Sequence, residues 1–136
     1  MKFLLDTDIC IYLIKKKPVE VLQKFREYPV GDIGLSSITL AELKYGVQKS
    51  KQSSRNARAL EKFLIPLSIS EFDYKAANAY GKVRAELESQ GTPIGPLDTL
   101  IAAHALSLNL TLITNNTREF SRVSGLKVTN WVSDKK

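Results

Sequence analysis

The chain is poorest in the residues that carry thiol and imidazole chemistry. Its 136 residues include one cysteine and one histidine. A lone Cys10 forbids an internal disulfide and any cysteine-rich zinc or iron–sulfur site, and it suits a reducing, cytoplasmic compartment. A lone His104 excludes acid–base catalysis by paired imidazoles. Seven glycines and five prolines rule out collagenous and low-complexity chains. No apolar run spans a bilayer, because the most apolar stretch, 97–113, is interrupted by Asp98, His104 and Ser107. Asp6 and Asp8 stand where a secretory leader would need its apolar segment, so neither export nor membrane association is expected. Acids are also short, 14 against 20 basic residues, for a net charge of +6. A basic chain of this size favours polyanionic partners, nucleic acid first.

What is present is enough apolar material, 43%, for one domain over 1–136. The patterning predicts alternating strands and helices. Strands are expected at 2–5, 33–36, 67–69, 111–114 and 127–129. Helices are expected after Asp8, from Val19 to before Pro29, at 39–49, 57–64, 71–89, 97–108 and 117–123, with a polar loop at 49–55. This is an α/β order, implying a mostly parallel sheet with helices on both faces. Ligands of such sheets bind beyond the carboxyl ends of the strands.

The acids are informative at that edge. Taken singly, each has a capping explanation. Asp6 punctuates a turn, with Thr7 or Asp8 capping the next helix. Glu42 closes a capping box with Thr39, and Asn116 with Glu119 does the same later. Asp98 sits in a first helical turn, after Pro96. Together they share one address, since Asp6 and Asn116 follow strands while Glu42 and Asp98 lie on helices that open at the same edge. Crowded carboxylates repel unless a cation lies between them. Hard oxygen donors suit Mg²⁺, with Mn²⁺ as an alternative, and the basic remainder suits a phosphate backbone. The expected chemistry is hydrolysis of a phosphodiester by water activated at a divalent ion. Asp6 and Asp98 would be ligands, and Glu42 a ligand or a water-orienting group. Thr7, Thr39 and Thr114 would support them from behind.

Four segments carry a family resemblance. They are Phe3-Leu4-Leu5-Asp6-Thr7-Asp8-Ile9, Ser36–Gly46 around Glu42, Gly95-Pro96-Leu97-Asp98 continuing to Leu106, and Leu112-Ile113-Thr114-Asn115-Asn116 continuing to Phe120. In this order they resemble the PIN domain, and within it the VapC ribonuclease toxins of bacterial toxin–antitoxin pairs. The resemblance implies a PIN-like fold and a Mg²⁺-dependent endoribonuclease, usually a homodimer and inhibited by a VapB-like antitoxin in a higher assembly. It implies transfer RNA as substrate, initiator tRNA in the anticodon region among the possibilities. Asp6, Glu42 and Asp98 stand where the family keeps its acidic triad. Asn116 stands where many members carry a fourth Asp, with Glu119 the nearest carboxylate, so one or two ions remain open. Asp8 stands where relatives commonly have Asn, and the resemblance assigns it no role.

Other residues have plainer readings. His104 lies six positions after Asp98, roughly 240° round a helix at ~100° per residue, so it should face away from the acids and be buried. Cys10 and Tyr45 are expected in the core. Lys44, Lys49, Lys51, Arg55 and Arg58 form either a solvated surface or a clamp for RNA phosphates. Two alternatives stand beside the nuclease. One is a non-catalytic RNA-binding module of PIN-like fold, favoured by the missing fourth Asp. The other is an aspartate-nucleophile phosphohydrolase, since Leu4–Ile9 is similar to the start of the haloacid-dehalogenase phosphatases.

Overall fold

A computed structural model describes residues 1–132, so the last four residues of the expected 1–136 domain lie outside it. Five short strands form one parallel sheet: β1 Phe3–Leu5, β2 Ile33–Ser36, β3 Ser68–Ser70, β4 Thr111–Ile113 and β5 Val128–Thr129. Their spatial order is β3-β2-β1-β4-β5. Every neighbouring pair runs parallel, with Leu4 opposite Gly34 on one side and Leu112 on the other. Gly34 is required there, because a Cβ would lie 2.6 Å from the Ser68 carbonyl oxygen on β3. The chain leaves β1 towards β2 and β3, then returns to the other side of β1 with β4. The β1/β4 junction is therefore the topological switch point, where open α/β sheets open a crevice.

Helices α1 Thr7–Lys15, α2 Val19–Arg26, α3 Ser37–Lys49 and α4 Ser53–Leu64 precede β3. Helices α5 Tyr74–Ser89, α6 Pro96–Ser107 and α7 Thr117–Phe120 follow it. The two-residue period of the strands divides the core between the sheet's faces. Leu5 and Ile113 pack with Ile9, Leu13, Val21, Leu43 and Leu60 of the first helices. Leu4 and Leu112 pack with Val83, Leu87, Ile101 and Phe120 of the later ones. Trp131 stacks on Tyr28 at 5.9 Å and meets Phe3 of β1 edge-on. No helix among the described residues is long and apolar enough to cross a membrane.

The expected α/β architecture is present, and the boundary corrections are local. Helix α3 starts at Ser37, not Thr39, because the Ser36 hydroxyl accepts the Ile38 N–H at 3.0 Å and caps it. Helix α4 starts at Ser53, four residues before the expected 57, since its first turn is polar and exposed and shows no apolar stripe. Helix α5 starts at Tyr74, where the Asp73 carboxylate accepts the Ala76 N–H. Strand β3 runs one residue later than expected: Leu67 is buried in a turn whose N–H reaches the Leu64 carbonyl. Helix α7 stops at Phe120 rather than 123, ahead of turns that end at Gly125, which has a positive φ of 83°.

Candidate active site

Asp6 is the anchor of the site. It leaves β1 at the switch point, its N–H bonded to the Ile113 carbonyl of β4 at 2.8 Å. Its side chain, not that of Thr7 or Asp8, caps α1, with Oδ1 accepting the Thr7 N–H at 2.8 Å. Oδ2 accepts the Thr114 hydroxyl at 2.7 Å. Burial raises the Asp6 pKa; the hydrogen bonds from Thr114 and Thr7 oppose that rise, and nearby Glu42 adds to it.

Glu42 sits one and a half turns into α3. The capping-box reading does not hold, since Ser36 is the cap. Glu42 Oε1 instead accepts the Thr7 hydroxyl across the crevice at 2.7 Å. Asp98 occupies the first turn of α6, where Gly95 is the cap and the Asp98 carboxylate has no hydrogen-bond partner among the described residues. Burial lifts Asp98 to about 6, helped by Asp6, Glu119 and Glu42 in that order. Glu119, on α7, therefore joins the cluster. Asn116 precedes α7 but makes no side-chain cap; its backbone N–H donates to the Thr114 hydroxyl at 3.0 Å.

Asp8 belongs to the same cluster, although the sequence reading left it without a role. Burial and then Asp6 raise it to about 6, with a further push from Asp98. Its Oδ2 accepts the Asn115 N–H at 3.2 Å, while Oδ1 is buried without a hydrogen-bond partner. The signal was present in the two-residue offset from Asp6: both belong to the opening of one helix, so both point to one end of it.

Thr7 and Thr114 do support carboxylates. Thr39 does not: its hydroxyl is buried and has no hydrogen-bond partner, so it reaches no acid. The basic residues lie along α3, α4 and the turn between them. Lys44 is paired with Glu61 at 2.7 Å, and Arg55 bonds Gln52. Lys49 lies over the ring of Tyr45, which is 66% exposed rather than in the core. Lys51 and Arg58 are exposed. A largely apolar cavity of about 290 Å³ runs between α1, α3 and α4, from Thr7 and Glu42 at one end to Asn56 and Leu60. Cys10 is buried, as expected.

The donor set suits a hydrated divalent ion. Asp6, Asp8, Glu42, Asp98 and Glu119 supply hard oxygen, no basic side chain pairs with Asp6, Asp8, Glu42 or Asp98 among the described residues, and burial, with mutual repulsion added, raises Asp6, Asp8 and Asp98. Among the described residues, no three His, Cys, Asp or Glu side chains are grouped closely enough to hold a metal ion as they stand.

The Thr114 hydroxyl gives a direct test of this scaffold. Thr114→Val leaves a buried carboxylate oxygen and the Asn116 N–H without their partner. It is expected to cost about 1–3 kcal/mol in a denaturant titration, and to lower any metal-dependent activity ~10–100-fold.

Comparison with known proteins identifies the family. The PIN domain family model matches residues 3–126. The tRNA(fMet)-specific endonuclease VapC of Shigella flexneri is 47% identical over 131 residues, covering 96% of this chain and 98% of that protein. Ribonuclease VapC2 of Haemophilus influenzae is 47% identical over 97% of this chain and 99% of its own length. Among solved structures, DNA-bound VapBC of Salmonella typhimurium matches with TM-score 0.92 and 43% identity, over 97% of this chain and 99% of that one. VapBC2 of Rickettsia felis, bound to a fragment of promoter DNA, matches with TM-score 0.91 and 43% identity, over 97% and 100%.

Proposed function

The chain belongs to the PIN-domain family, among its VapC ribonucleases, and on that premise we propose that it is the toxin of a toxin–antitoxin pair, a Mg²⁺-dependent endoribonuclease that cuts transfer RNA. Initiator tRNA, cut in the anticodon region, is the first substrate to test, since the Shigella relative is tRNA(fMet)-specific. The observation that carries the reading is the unpaired acidic cluster at the switch point of a parallel sheet, on a chain of net charge +6.

Asp6, Glu42 and Asp98 would hold the cation, Mg²⁺ or Mn²⁺, with Glu119, Asn116 and Asp8 at its margin. Bound there, the cation would acidify a water and offset charge growing on the phosphoryl oxygens. Thr114 and the Thr7 N–H fix Asp6 at both oxygens, and the Thr7 hydroxyl ties Glu42 to the same turn. Asp98, free of hydrogen bonds, adjusts its oxygens to the ligand. Lys49, Lys51, Arg55 and Arg58 hold the RNA backbone beside Glu42. Lys44 contributes less, its charge being balanced by Glu61. The acidic site also suits an Arg or Lys from a VapB-like antitoxin, whose charge would displace the cation. The solved VapBC complexes of its relatives support an antitoxin partner, and the proposed assembly is built on a homodimer of this chain.

The test is purified protein with total tRNA and Mg²⁺, followed by sequencing of the RNA ends. One dominant cut, stopped by a chelator, is expected. Salt-sensitive RNA binding without cleavage at any Mg²⁺ or Mn²⁺ concentration would favour the non-catalytic module. Turnover of a phosphate monoester through a trapped Asp6 acyl phosphate would favour the phosphohydrolase.

A further inference from the structure

The only histidine of the chain lies outside the acidic cluster and yet joins two of the helices that build it, those of Glu42 and Asp98. His104 is 0% exposed on α6, the helix of Asp98. Its Nδ1 lies 2.8 Å from Ser36 Oγ and its Nε2 lies 3.2 Å from Ser70 Oγ. The Phe72 ring packs edge-on against the imidazole at 5.4 Å. Ser36 ends β2 and caps α3, the helix of Glu42, by accepting the Ile38 N–H. One buried ring thus connects the Asp98 helix to the first turn of the Glu42 helix.

Each ring nitrogen faces a serine hydroxyl, and a hydroxyl can either donate or accept. A proton on Nε2 would be donated towards Ser70 Oγ. Nδ1 is then an acceptor, and the Ser36 hydroxyl must donate to it. Ser36 Oγ, which accepts from the helix, would then also donate to the ring. Burial keeps the ring neutral, against the opposing pull of Asp73 and the Glu71 backbone.

We infer that His104 is a positioning residue for phosphodiester cleavage: as the neutral Nε2-protonated ring it orients the Ser36 hydroxyl at the start of α3 and so sets Glu42 against Asp98. The inference rests on the roles given above to Glu42 and Asp98. Glu42 lies six residues beyond Ser36, so a tilt of ~10° at the cap displaces it by roughly 1.5 Å. A misplacement of about 1 Å at a reacting centre costs ~10²-fold.

Two substitutions separate positioning from packing. His104→Asn places an amide oxygen where Nδ1 accepts from Ser36, but it leaves a cavity. His104→Phe fills the volume and offers no acceptor. In tag-free protein, His104→Phe is expected to lower kcat ~10–100-fold, with KM changed less than ~3-fold. Its Mn²⁺ affinity, read by electron paramagnetic resonance, should weaken ~10-fold. His104→Asn should melt lower than wild type yet keep kcat within ~3-fold of it. Activity that instead follows melting temperature across the two variants overturns the inference, as does a folded Phe variant with unchanged kcat and Mn²⁺ affinity. Nitrogen-15 NMR of the wild type tests it without any variant, because one histidine gives one ring to assign: an Nε2-protonated ring is expected, and an Nδ1-protonated ring overturns it. Wild-type protein that cleaves no RNA would sink the nuclease reading itself, whereas an active wild type with an equally active Phe variant sinks only the role of His104.

Discussion

Asp98→Asn is expected to abolish RNA cleavage while raising the melting temperature of the divalent-free protein. The two effects share a cause. In the folded chain the Asp98 carboxylate is desolvated and faces Asp6, Glu119 and Glu42 without a hydrogen bond or a cation to compensate it, so its pKa stands at about 6. At neutral pH that charge is forced on the site. A full lift from 3.8 to about 6 corresponds to ~3 kcal/mol. Asp98 is half-buried, and solvent screening reduces this to ~1 kcal/mol. The isosteric amide relieves it, for a gain of roughly 3–5 °C. The same carboxylate would be the least constrained donor to the proposed cation. Its loss removes roughly 4 kcal/mol of transition-state stabilisation, about 10³-fold in rate. Calorimetry and end-sequencing of cleaved RNA on the same preparation check both halves. A folded Asp98→Asn variant that cuts at the wild-type rate removes the basis for the acidic site.

Divalent cations are expected to stabilise the protein far more at pH 7.5 than at pH 5. Asp8 and Asp98 are both raised from 3.8 to about 6. Between these values the folded chain keeps protons that the unfolded chain has released. Their contribution to stability is fully present below pH ~3.8 and is lost as the pH rises through about 6. Without a cation, the stability difference between wild type and the Asp8→Asn, Asp98→Asn double variant should therefore widen in the variant's favour from pH 4 to 7. A cation competes with those protons, so Mn²⁺ at 100 times its Kd should add about 2.7 kcal/mol at pH 7.5 and little at pH 5. Thermal melts across pH, with and without Mn²⁺, read this directly. Equal Mn²⁺ shifts at both pH values, or equal shifts in the double variant, would place the cation elsewhere.

Local pattern was enough to read the α/β class, the strand Ile33–Ser36 to the residue, and the three acids at the opening edge. Apolar periodicity, turn residues and the spacing of Asp6, Glu42 and Asp98 within their segments all act over a few residues, and a linear reading captures such forces. Which partner each polar atom takes was decided only when the sheet order β3-β2-β1-β4-β5 brought distant segments together. Capping explained Glu42 from its neighbours, but its bond is to Thr7, 35 positions away. Asp6 takes Thr114, 108 positions away, and Asp8 takes Asn115, 107 positions away. Thr39 looked like support for the site and turned inward without a partner, while Tyr45 looked like core and remained exposed. His104 could be placed in the interior from its helical phase, yet its bonds to Ser36 and Ser70 depend on two other strands ending beside it. A hydrogen bond needs its two atoms within about 3 Å, and for residues so far apart in the chain that proximity is a property of strand order and helix packing.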